Sequence, residues 1–170
     1  PMVPQVPEVL GTADKKIRLA PQYLLDDLPR LAARLDRAPD ELVLVSRRHL
    51  RSNNAWLHNV GPVMKGKDRC TLLMHTDDAV KHGVVTGDVV TVSSAGGSIE
   101  VPVEVTGAIM PGVVSMPHGW GHGKPGTRMS VANGSPGVNT NELSPPNFID
   151  EPSGNGALNG IPVTVTATTT

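Results

Sequence analysis

Leu72-Leu73-Met74-His75-Thr76-Asp77-Asp78-Ala79 opens a stretch that runs through Gly83-Val84-Val85-Thr86-Gly87-Asp88 to His118-Gly119-Trp120-Gly121-His122-Gly123. Residues 70–74 read as a strand. Thr76 has a hydroxyl suited to cap a single helical turn, and Gly83 suits the left-handed position where such turns stop. Val89-Val90-Thr91-Val92 reads as a strand, Ala95-Gly96-Gly97-Ser98 as a hairpin turn, and residues 99–105 as the returning strand. Pro111-Gly112 then turns the chain into Val113-Val114-Ser115-Met116. The strands are short and do not alternate with long helices, as βαβ units require. The pattern predicts a closed or nearly closed β-barrel. Polar residues and glycines gathered at its strand ends suit a shelf for a ligand.

Working outward, Leu42-Val43-Leu44-Val45 is a continuous apolar run of strand length, expected to be buried on both faces. Residues 47–68 form a long polar loop, of a length usually tied to function or disorder. Residues 119–160 form a second, rich in glycine, asparagine and proline. Residues 161–167 alternate and predict a closing strand, with residues 168–170 fraying. Leu24, Leu25, Leu28, Leu31, Ala32 and Leu35 have helical spacing, and Pro29 is expected to kink or divide that helix. Residues 1–14 read as a linker. We therefore expect residues 1–20 to be a linker or extension from a parent chain, and residues 21–170 to be one barrel domain.

The 170 residues can bury a core without a staple. The single cysteine, Cys70, excludes an internal disulfide and a multi-cysteine metal site. A formal charge of −1 provides no general field for nucleic acid or anionic membrane. Aromatics make up only 2% of the chain, which leaves little for stacking bases. There is no apolar run of about 20 residues and no signal segment at the start, so the expected compartment is the cytoplasm. The chain carries no G-x-S-x-G elbow, Walker loop or H-E-x-x-H.

Four stretches carry polar chemistry. Ser46-Arg47-Arg48-His49, with Arg51, Asn53, Asn54 and Trp56 beyond, follows the first apolar strand; guanidinium forks there suit phosphate or diphosphate, and a solvated basic loop is the plainer alternative. Asp77 and Asp78 favour the start of a helical turn, and one of them has the chemistry to accept the paired N–H groups of a guanine or pterin. His118-Gly119-Trp120-Gly121-His122-Gly123 offers close backbone approach and a flat ring. Glycine-rich sequence makes helical metal ligation by His118 and His122 a poor expectation. Gly121-His122-Gly123-Lys124-Pro125-Gly126 is not a dinucleotide fingerprint, because no helix of a βαβ unit follows it. Residues 133–141 carry asparagines that can match a pterin edge or simply build turns.

Leu44-Val45-Ser46-Arg47-Arg48 with Asn53-Asn54-Ala55-Trp56, then residues 75–79, Gly83-x-x-x-Gly87-Asp88, Gly97, Pro111-Gly112-Val113-Val114, Trp120, Asn141-x-Leu143 and Asp150-x-x-Ser153-Gly154, follow one another in a known order. In that order the chain resembles the molybdopterin dinucleotide-binding domain that closes molybdenum oxidoreductases of the dimethyl sulfoxide reductase and formate dehydrogenase type. The resemblance covers residues 42–165. It implies a mainly β fold, a double-psi β-barrel with short helices and an N-terminal helical segment. It implies molybdopterin guanine dinucleotide on molybdenum or tungsten, held jointly with the remaining domains of a parent oxidoreductase, with no catalysis by the isolated domain. By the same resemblance, Ser46, Arg47 and Arg48 meet phosphate or pterin, Asn54 and Trp56 line the loop at the mouth, and Asp78 meets guanine. Trp120, His122 and Asn141 approach a pterin edge. Relatives often have glycine at Arg47 and histidine at Asn54. The family's metal ligand and iron–sulfur cysteines lie in domains outside this chain. Two rivals remain: a non-enzymatic protein or peptide interaction module on the same barrel, and a separate metal-dependent enzyme using His118 and His122.

Overall fold

The computed structural model describes residues 3–36 and 42–168. The chain divides into two compact units, residues 1–38 with 151–154, and residues 39–150 with 155–170.

In the first unit, the predicted helix is two: α1 (Gln22–Leu25) and α2 (Leu28–Leu35). The break falls at Asp26 and Asp27, ahead of Pro29, which sits in the first turn of α2, where its missing N–H costs nothing. Neither helix has a buried residue, so the leucines that set the helical spacing face outward.

The second unit contains β1 (Leu42–Arg47), α3 (Gly61–Met64), β2 (Leu72–Met74), α4 (Thr76–His82), β3 (Val89–Ser94), β4 (Gly97–Val105), β5 (Val113–Pro117), β6 (Ile149–Asp150), β7 (Asn155–Gly156) and β8 (Ile161–Ala167). Six of these strands close a barrel in the order β1-β5-β2-β4-β3-β8. β1 runs parallel to β5, from Val43 opposite Val113 to Arg47 opposite Pro117, and β2 runs parallel to β4. The remaining barrel pairs are antiparallel. This is the mainly β barrel with short helices that the sequence predicts.

The period of two places alternate side chains inside. Leu42 and Leu44, Leu72 and Met74, Val90 and Val92, Val101 and Val103, Val114 and Met116, and Ile161, Val163 and Val165 fill the interior. Each such burial is worth about 1.5–3 kcal/mol as an upper figure. Val43 and Val45 are only half-buried, so β1 is not covered on both faces as expected. The barrel shows that strand its inside and the surrounding loops only part of its outside.

Several local expectations shift. The cap of α4 is His75, not Thr76: the His75 Nδ1 accepts the Asp77 N–H at 3.1 Å. Its terminus is Gly83, at φ 65, as predicted. The long loop after β1 holds the short α3, and the loop after β5 holds two 3-10 turns, Ala132–Gly134 and Thr140–Leu143, and the small β6–β7 ladder. β8 spans the predicted residues; Thr169 and Thr170 lie outside the described residues.

Candidate functional site

The β1–β5 pair builds the site. The parallel ladder continues past the strand ends, with the His118 N–H donating to the Arg47 carbonyl at 3.1 Å. It leaves Ser46 and His118 beside each other at one rim. The Ser46 N–H and hydroxyl both donate to Asn159 Oδ1, at 2.7 and 3.0 Å. With its proton committed, the Ser46 oxygen can present lone pairs to a further group.

Across from them stands the 3-10 turn bearing Asn141. Leu143 is fully buried and anchors that turn, and its carbonyl accepts from the Ser94 hydroxyl at 2.6 Å. The β3–β4 turn lies so close that a Cβ on Gly96 would meet the Leu143 carbonyl carbon at 2.8 Å. Only glycine allows that approach. The Asn139 side chain accepts the Asn141 N–H at 3.1 Å, which leaves the exposed Asn141 amide at the rim.

Ser46, His118, Thr140, Asn141 and Ser144 share one small hollow with an apolar floor that includes Leu44 and Met116. No charged side chain among the described residues lines it. Burial, and then the nearby Arg48 charge, hold the His118 imidazole below its ordinary pKa, which favours the neutral ring.

The loop over residues 48–60 is fastened from below and open above. Gly119 comes so near that a Cβ there would sit 2.5 Å from the Asn54 carbonyl oxygen. Asn59 Oδ1 accepts the N–H groups of Val131 and Ala132 at 3.0 and 3.2 Å. Buried His58 meets His122, Nδ1 to Nε2, at 2.7 Å. Arg48, Leu50, Arg51, Asn54 and Trp56 point outward from this base, Trp56 with 82% of its surface exposed. The exposed Trp56 indole presents a flat apolar face with one polar N–H.

The structure separates the sequence candidates. Ser46 and Asn141 share the hollow, and Arg48, Asn54 and Trp56 occupy the exposed loop face. Arg47 lies across the sheet instead of facing a ligand: its guanidinium donates to the Ser115 carbonyl, to the Thr71 carbonyl at 2.7 Å and to the Thr71 hydroxyl at 3.1 Å. It stitches β1 to β5 and to the segment entering β2. Asp78 is buried, with one oxygen accepting the Gly112 N–H at 2.6 Å and the other 3.5 Å from the Lys81 ammonium. It braces the turn ahead of β5. Trp120 and His122 lie beneath the loops, the Trp120 ring tilted against His58 with centroids 4.2 Å apart. His118 and His122 thus serve different places, and no group of three metal-ligating side chains occurs among the described residues. Sequence reading missed His58, Asn59 and Asn159. Each binds a segment far away along the chain, and no local pattern announces that.

Comparison with known proteins identifies the family. The family described as "Molydopterin dinucleotide binding domain" matches residues 42–162, which covers both long loops and the barrel up to the start of β8. The chain belongs to this family. It is therefore a molybdopterin dinucleotide-binding domain of the molybdenum oxidoreductases. It is 39% identical over 74 residues to dimethyl sulfoxide/trimethylamine N-oxide reductase of Rhodobacter capsulatus, covering 44% of this chain and 9% of that protein. It is 27% identical over 96 residues to one chain of the tetrathionate reductase of Salmonella typhimurium, covering 51% of this chain and 9% of that one. Among solved structures, acetylene hydratase from Pelobacter acetylenicus shares the fold, with a TM-score of 0.63 at 22% identity over 85% of this chain and 20% of that one. The chain thus spans about a tenth of the length of the curated relatives. No helix among the described residues is long and apolar enough to cross a membrane.

Proposed function

We propose that the rim of the Ser46–His118–Asn141 hollow receives the edge of one ring system of a molybdopterin guanine dinucleotide, and that the 48–60 loop guides the rest of it. The observation that carries this is the donor set: a serine oxygen with its proton committed, an exposed amide, a neutral imidazole and an apolar floor. A pterin is flat and alternates N–H donors with ring-nitrogen acceptors along its edge, which such a rim matches. The hollow is far too small for a whole dinucleotide, so the tail runs outside it.

Arg48 is the residue for the phosphates, being exposed and next to His118. Asn54 and Trp56 border its path. Arg47 and Asp78 act by holding the barrel and the turn before β5, and Trp120 and His122 by supporting the loops. When bound, the metal–dithiolene group supplies the electron chemistry, with molybdenum or tungsten as the metal; this chain supplies grip and orientation. The partners are the remaining domains of a cytoplasmic oxidoreductase. The rival reading as a peptide-binding module has less support, because the hollow is small and polar-rimmed rather than an open apolar groove.

The test is the double variant Ser46→Ala/Asn141→Ala in the full-length oxidoreductase. Molybdenum and pterin per chain should fall several-fold. Unchanged content of both would refute the assignment.

A further inference from the structure

The His58–His122 contact calls for its own explanation. Both imidazoles are buried, and the tilted Trp120 ring packs on His58. Among the described residues His58 Nε2 has no hydrogen-bond partner, so the 2.7 Å contact from its Nδ1 to His122 Nε2 is the one polar link found there for that ring. The link joins two loops that are otherwise more than sixty positions apart in sequence. One of them carries Asn54 and Trp56, and the other carries Gly119, against which the Asn54 carbonyl packs.

We propose that His58 and His122 form a proton-sensitive clasp that positions the 52–59 loop: with both rings neutral one facing nitrogen donates to the other, and acid opens the clasp. One proton taken from solvent creates an imidazolium in a site closed to water. A second leaves no lone pair between the facing nitrogens, so neither ring can accept. Opening the loop hydrates the charge.

The surroundings agree. The groups that act on His58 are His122 across the link, Arg69 from the segment before β2 and His49 from its own loop, and all three repel an added proton. Burial works in the same direction and is the largest influence, and together they bring His58 down to about 4. Burial also lowers His122. The sign follows: the neutral pair favours the closed loop fully above the ordinary histidine value near 6.5, and this contribution is lost as pH falls towards about 4. His58 and His122 are positioning residues here, not groups that touch the cofactor.

The consequence for cofactor grip rests on the function proposed above; the clasp itself does not. Hydrogen exchange of the full-length protein, corrected for the intrinsic rate, separates the two. Peptides covering residues 52–59 should exchange at least about tenfold faster at ~pH 4.5 than at ~pH 7.5, while β1 and β5 stay protected. His122→Ala should exchange fast in that loop at both pH values. The double variant His58→Gln/His122→Gln can hydrogen-bond but not titrate, so its loop should stay protected at both. Equal loop exchange at the two pH values in the unaltered protein would overturn the clasp. So would a loop in His122→Ala as protected as the original. Should the double variant not fold, these two comparisons still decide. Pterin content measured on the same samples reports the other question. A loop that opens in acid while pterin stays bound upholds the clasp and counts against the loop's role in gripping the cofactor.

Discussion

Replacing Arg47 with alanine separates a structural brace from a phosphate ligand. The side chain makes four hydrogen bonds, to the carbonyls of Ser115 and Thr71, to the Thr71 hydroxyl and to His49 Nε2. Hydrogen bonds from a charged donor are worth about 1.5–3 kcal/mol each. Burial of the guanidinium offsets part of that, and it is also what lowers the Arg47 pKa, against the pull of Glu104. A net loss of about 2–4 kcal/mol is expected, because the buried Ser115 carbonyl and the half-buried Thr71 carbonyl each lose a charged donor. In the full-length protein this appears as local opening: amide exchange in β1, β2 and β5 should quicken by about 30-fold or more, at one decade per 1.4 kcal/mol. Arg47→Lys should restore little, since an ammonium lacks the planar fork that reaches two strands. Arg48→Ala should leave these strands within about 0.5 kcal/mol and lower pterin content instead. Normal strand protection in Arg47→Ala together with lost cofactor would refute this division of labour.

Two further outcomes follow from close contacts and burial. Gly119→Ala should displace the 52–59 loop, because the added carbon meets the Asn54 carbonyl at 2.5 Å and the residue sits at φ 93; the cost is about 1–3 kcal/mol for the clash beyond the backbone strain. Gly126→Ala, at φ 86 with nothing near its added carbon, carries the strain alone and should leave the loop's exchange rate unchanged. Cys70 is buried and its thiol is pushed up to about 11, chiefly by burial. It should resist iodoacetamide at ~pH 8 until the protein is denatured, and rapid labelling of the native protein would contradict that packing.

The barrel was legible because its strands are short, β-branched and punctuated. The hairpin at Ala95–Gly96, the turn before β5 and the closing strand all fall where glycine, proline and alternation put them. The order of motifs from Leu44 to Gly154 pointed to the family. The direction of each polar side chain was not legible. Arg47 and Arg48 are neighbours of one type, yet alternation along β1 sends Arg47 across to β5 and Thr71 while Arg48 leaves the strand exposed. Asp78 has the composition of a guanine reader and the position of a helix-start carboxylate; the Gly112 N–H claims it through a contact thirty-four positions away. His58, Asn59 and Asn159 act only through such distant partners, and residues 119–160 gave no periodicity from which to place them.

The most direct test is the structure of the metal-loaded, full-length oxidoreductase, read at the Asn141 amide. The account predicts a ring of the dinucleotide with its edge at the rim of the hollow, within about 3 Å of the Asn141 side chain and the Ser46 oxygen, with the phosphates towards Arg48. A dinucleotide held elsewhere, with the hollow filled by protein side chains, would contradict it.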